Sequence, residues 1–121
     1  MPQPAHPRID LMTERAVLIL VTTDGRDDAE KIGEALVVER LAACCNVIPT
    51  VASFYYWEDQ LQRNHEAILL VKTLESLVPA LEEYVRGHHT YALPEILQLP
   101  IEGGSSAYLN WLEQQVAKAG R

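Results

Sequence analysis

The residues in this chain best suited to chemistry are two adjacent thiols, Cys44 and Cys45, and a short run holding His88, His89, Tyr91 and Glu95. A thiolate is a soft ligand that suits Cu(I), whereas imidazole and carboxylate suit divalent cations. Neighbouring side chains on a strand point to opposite faces, so the two cysteines cannot readily grip one metal, and at least one of them belongs to a core. For His88 the competing role is structural, an imidazole complementing the dipole at a helix C-terminus. Glu66 and Lys72, six residues apart, share one face of a strand and either do polar chemistry or meet solvent. The aromatic run Phe54–Trp57 could line a ligand pocket or a subunit interface, and interfaces are enriched in such residues. Gly103-Gly104-Ser105-Ser106 precedes a helix and could receive an anion, although a plain turn explains it as well. No phosphate-binding GxxxxGK[ST], GxSxG or HExxH pattern occurs.

The element that must position these groups is residues 41–73. Cys44–Trp57 is rich in β-branched and aromatic residues, Glu58-Asp59-Gln60 supply a turn, and Leu61–Lys72 returns through the apolar run Ala67–Val71. A first strand of that length spans roughly 45 Å at ~3.3 Å per residue. The other strand candidates, Ala16–Thr22 and Ile96–Ile101, are about half as long, so the hairpin outreaches its own sheet. Its overhang needs a cover, and no segment of the chain is spare, which points to another subunit. Pro49 inside the first strand predicts a bulge.

Helices complete the order. Asp27 with Glu30 reads as a capping box opening a helix that runs to about Leu41. Leu77, Val78, Leu81, Tyr84 and Val85 form a helical stripe, with Ser76 as cap, Pro79 in the first turn and Gly87 as stop. After Gly103-Gly104, Tyr108, Leu109, Leu112 and Val116 make the apolar face of a third helix. The order β-α-β-β-α-β-α predicts an α+β, ferredoxin-like βαββαβ sandwich with a long β-hairpin and an extra C-terminal helix. Residues 14–119 read as its single domain. Residues 1–13, with three prolines, read as an extended or disordered lead, and Met12 is an alternative start.

Composition narrows the function. The 121 residues carry a formal net charge of −7. That leaves no basic stripe for phosphates or anionic membranes, so neither nucleic acid nor membrane is an expected partner. Two adjacent cysteines make no disulfide framework, and the apolar run Ala16–Val21 is too short for a span or a signal peptide, which points to the cytoplasm.

Taken together, Arg40–Cys44 (RLAAC), Asn46–Pro49, Tyr56-Trp57, Glu66, Leu69–Thr73, His89-x-Tyr91-x-x-Pro94-Glu95-Ile96, Leu99–Ile101 and Tyr108-Leu109-x-Trp111 resemble the CutA family of divalent-cation tolerance proteins over roughly Val17–Val116. The resemblance implies a ferredoxin-like subunit, a homotrimer built by strand pairing between subunits, and a non-enzymatic role in metal homeostasis with copper or another divalent cation as ligand. It nominates Cys44, His89 and Glu95 as metal ligands, and Trp57, Glu66, Lys72 and Tyr91 as the lining of an inter-subunit cleft. The chain departs from the family pattern at Asp59, a usual Gly, at Ala92, a usual Glu whose loss removes one oxygen ligand, and at Cys45, often Val.

Two rivals stand beside that reading. A PII-like signalling adaptor would bind a small anionic metabolite in the cleft and requires a basic lining. A small hydrolase would need a nucleophile or base with a perturbed pKa in a pocket.

Overall fold

The computed structural model describes residues 15–117. The expected lead over residues 1–13 and the alternative start at Met12 lie outside the described residues. The chain runs β1 (Ala16–Thr23), α1 (Arg26–Val38), β2 (Cys44–Trp57), β3 (Gln60–Leu74), a 3-10 turn (Glu75–Leu77), α2 (Val78–His88), β4 (Ile96–Pro100) and α3 (Ser106–Ala117). The four strands form one antiparallel sheet ordered β2-β3-β1-β4. This is the α+β, ferredoxin-like arrangement that the order of elements predicts, with α3 added.

The period-2 alternation of the strands divides the residues between two faces. Val17, Ile19 and Val21 of β1 and Ala67, Leu69 and Val71 of β3 are fully buried on the first face. There they pack against Ile32 and Leu36 of α1 and Leu81 and Val85 of α2. Gly33 is what lets α1 settle on this face: a Cβ there would lie 2.9 Å from Leu69 Cδ1 and 3.3 Å from Cys45 Cβ.

Among the described residues the second face is covered only at one end. There α3 places Leu112 and Val116 against Ala43, Leu74 and Leu77. The rest of this face carries Leu18 opposite Leu99, Leu20 opposite both Leu97 and Leu70, and Ile48 opposite Ile68. Ile48, Leu97 and Leu99 are 41%, 52% and 42% exposed. These residues adjoin one another, so the apolar exposure is contiguous rather than scattered.

β2 and β3 run 14 and 15 residues, yet β1 pairs with β3 only from Ala67 to Leu74. Beyond Ala67 the hairpin therefore stands free of the sheet, as its length predicts. The register slips between Ile48 and Val51, so Pro49 and Thr50 bulge where a missing N–H does no harm. At the tip, Glu58 and Asp59 both take positive φ, 52° and 63°, in a two-residue loop between the paired residues Trp57 and Gln60. A turn with two positive φ angles matches the strand twist, and Gly or Asn is its usual occupant.

Helix boundaries differ from expectation for local reasons. α1 starts at Arg26, one residue before the expected cap, because extended Gly25 takes the cap position without a side-chain bond. Asp27 and Asp28 then act within the first turn through the helix dipole, and Glu30 accepts from Arg26 Nε at 2.9 Å instead of closing a capping box. α1 stops at Val38 rather than Leu41 because Arg40 turns left-handed, φ 59°. Leu41 and Ala42 then donate their backbone N–H groups to Leu36 O. Ser76 falls inside the 3-10 turn and does not cap α2, whose first turn holds Pro79, and α2 runs one residue past Gly87.

Candidate functional site

Where the free hairpin leaves the sheet, it meets the segment between α2 and β4. Tyr55, Trp57, Gln62 and Glu66 share the second face, because Tyr55 pairs with Gln62, Trp57 with Gln60, and Glu66 with Val51. Thr22, one residue before the end of β1, lies beside them, opposite Ile68. Together with Tyr91, Leu93 and Glu95 they line a cleft of about 770 Å³.

Four hydrogen bonds hold the segment in place. Tyr91 donates its hydroxyl to Glu66 Oε2 at 2.6 Å, and Thr22 Oγ1 donates to Glu95 Oε1 at 2.8 Å. Tyr91 N donates to His89 Nδ1 at 3.0 Å, and His89 Nε2 lies 2.7 Å from Thr22 O. A backbone N–H only donates and a carbonyl only accepts, so Nδ1 is bare and Nε2 carries the proton. His89 is thus a neutral imidazole with both ring nitrogens committed to backbone. It stacks obliquely on Tyr91, centroids 4.9 Å apart. Its neighbour His88 ends α2, with Nδ1 2.8 Å from Tyr84 O and its ring stacked on Tyr84.

Glu66 is the unusual member. It is only 6% exposed, and among the described residues no Lys, Arg or His forms an ion pair with it. A buried carboxylate without a cation is expensive unless something completes it. The Tyr91 phenol is held well above the usual tyrosine range, first by burial, then by its hydrogen bond to Glu66 and by the Glu66 charge. It is thus a lasting donor. Glu66 and Glu95 each spend one oxygen in these bonds, and among the described residues no Lys, Arg or His lines the cleft. Such a lining suits a cation, and it offers no support for the basic cleft that a PII-like adaptor would need.

The residues nominated from the sequence separate into two places. Glu95 and His89 meet at Thr22, and Trp57, Glu66 and Tyr91 line the cleft beside them. Cys44 is not with them. It pairs with Lys72, which pairs with Leu18, four residues along β1 from Thr22. That is roughly 13 Å along the strand and about 10 Å across two strands, too far for Cys44 to share a metal with the His89 and Glu95 of its own subunit. Lys72 also lies off the cleft, its Nζ 5.9 Å from the Tyr108 ring. Among the described residues no group of three or more His, Cys, Asp or Glu is placed to hold a metal ion. Sequence reasoning missed Thr22, which anchors both His89 and Glu95. Its signal was a polar residue closing an apolar strand just before turn residues.

Cys45 packs beside the first-face core, and burial pushes its thiol up to about 12. It is a small core residue. Gly103 and Gly104 form a plain connection in which Ser105 Oγ accepts from Tyr108 N at 3.3 Å, the N-cap arrangement.

An α+β subunit with an oversized hairpin, a bare apolar sheet face and an acidic, aromatic cleft is the class of protein these features define. Residues 17–115 match the model of the CutA1 divalent ion tolerance protein family. The chain is 42% identical over 97 residues to the divalent-cation tolerance protein CutA of Thermus thermophilus, an alignment covering 80% of this chain and 94% of that protein. It is 36% identical over 107 residues to the chloroplastic protein CutA 1 of Oryza sativa, covering 88% of this chain and 60% of that one. The chain thus spans a little over half the length of the plant and animal relatives. The crystal structure of CutA1 from Oryza sativa superimposes with a TM-score of 0.83 at 38% identity, covering 85% of this chain and 94% of that one. The chain belongs to the CutA1 divalent ion tolerance family. Among the described residues no helix is long and apolar enough to cross a membrane.

Proposed function

We propose that this protein serves divalent-cation tolerance by binding copper or another divalent cation reversibly, as a cytoplasmic homotrimer that catalyses no reaction. The observation that carries the reading is Glu66, a buried carboxylate that faces a cleft, lacks a cationic partner among the described residues, and shares that cleft with Glu95. A bound cation supplies the missing charge. With a given set of oxygen and nitrogen donors, Cu(II) is held most strongly among the divalent first-row ions. Two carboxylates from one chain are too few for a closed structural site, which favours an exchangeable ion whose remaining ligands are water or groups from a sister subunit. On this reading His89 positions the loop, and Cys44 stays outside the ligand set. The bare second face and the free hairpin are the surfaces a trimer would cover.

Calorimetric titration of the purified assembly with Cu(II), Zn(II) and Cu(I), each run separately, tests the cation. Glu66→Gln should weaken Cu(II) binding by about tenfold or more, the scale of a lost charged partner. Cys44→Ser should leave it unchanged. Equal Cu(II) affinity in wild type and a folded Glu66→Gln variant would overturn the assignment.

A further inference from the structure

We propose that the same cleft also accepts a small organic cation, an ammonium or guanidinium group carried on an apolar body. The inference rests on reading the cleft as a cation site and adds the class of ligand. A bare metal ion needs two or three oxygens and a few waters. The open cleft offers about 770 Å³, within the range that holds an organic ligand. Its walls are aromatic where an inorganic ion has no use for them. Tyr55 and Trp57 stand on one face of the hairpin, and Tyr91 and Leu93 join the lining from the loop. Two carboxylates, with no basic residue in the lining among the described residues, set the sign of the ligand, and the rings attract a cation through their π faces. The hairpin already uses this interaction at Phe54, where the Arg63 guanidinium lies 5.4 Å from the ring centroid.

In the bound state the cationic head pairs with Glu66 and Glu95, while the apolar body lies against Trp57 and Tyr55. Copper and the organic cation then compete for the same two carboxylates.

The test uses the assembled full chain in a Trp111→Phe background, where Trp57 is the sole tryptophan left to report. Benzylammonium and agmatine are titrated by fluorescence and calorimetry, with benzyl alcohol as the uncharged control. Both cations should bind, Cu(II) should displace them, and benzyl alcohol should bind at least tenfold more weakly, since it lacks the charged partner. Trp57→Ala should weaken benzylammonium about three- to thirtyfold, the span of a cation–π contact. Glu66→Gln should weaken it about tenfold or more. Glu95→Gln is the second variant should Glu66→Gln fail to fold. If Cu(II) binds but neither organic cation does, the aromatic walls serve the subunit contact instead, and this inference falls while the metal reading stands. If benzyl alcohol binds as well as benzylammonium, the cleft is an apolar groove and the inference likewise falls. If no cation of any kind binds, both readings fall.

Discussion

Tyr91 donates its hydroxyl to the buried carboxylate of Glu66 at 2.6 Å, and this one bond ties the loop after α2 to the free part of the hairpin. Tyr91→Phe removes the only donor described for Glu66. The variant should lose about 1–3 kcal/mol of stability, the cost of stranding a buried acceptor, as read from chemical denaturation. It should also bind Cu(II) more tightly, because the ion no longer displaces a phenol from the carboxylate. Unchanged stability together with unchanged affinity would reject the bond as described.

The same phenol gives a signature in alkaline solution. Its folded pKa is raised above the usual value of about 10. The folded state therefore holds a proton that the unfolded chain releases. The resulting stability is complete below about pH 10 and is lost as pH rises toward the folded value. Ultraviolet titration should show one of the five tyrosines ionising late, and that late component should vanish in Tyr91→Phe. Five tyrosines titrating together in the wild type would contradict the arrangement.

At the hairpin tip, Asp59 holds a φ of 63°. Glycine meets no Cβ penalty there, so Asp59→Gly should stabilise the protein by about 0.5–1 kcal/mol, measured as a higher denaturation midpoint. A lower midpoint would mean that the aspartate side chain supports the turn in some other way.

Gly33→Ala should act in the opposite direction although alanine is the better helix former. The new methyl would meet Leu69 Cδ1 at 2.9 Å. Overpacking of this kind costs about 1–3 kcal/mol, more than the ~1 kcal/mol gained in helix propensity. A stabilised variant would show that α1 can move off the sheet freely.

The apolar second face predicts an assembly. Light scattering should give a trimer at micromolar concentration, and Leu97→Arg, which places a charge on that face, should shift it toward monomer. A wild type that stays monomeric under those conditions would remove the trimer from the proposal.

Much of this fold was readable from the residues. The turn residues 58–60, the β-branched run from Cys44 and the proline at 49 define the hairpin and its bulge, because strand composition and turn chemistry act over short distances. Helix ends were read less well. Arg40 in a left-handed conformation and Gly25 at a cap are set by how α1 must leave and join the sheet, which no local pattern encodes. The candidate site divides along the same line. His89, Tyr91 and Glu95 lie within one short segment, so their meeting was foreseeable. Cys44 was grouped with them by resemblance, and only the pairing register reveals that it sits at the other end of the sheet. Thr22 was overlooked because its part is played by a carbonyl oxygen and a hydroxyl that gain meaning only when residues 67 and 73 positions away fold back onto it.

The adjacent cysteines carry a practical corollary. Successive strand residues look out on opposite sides of the sheet, so the chain has one thiol per side. Cys45, half-buried against the first-face core with its thiol pushed up to about 12, should react slowly with an alkylating reagent, leaving Cys44 as the faster chemical handle on the side where sister subunits would dock. The rate at which that handle is tagged would then follow, in real time, how often the assembly comes apart.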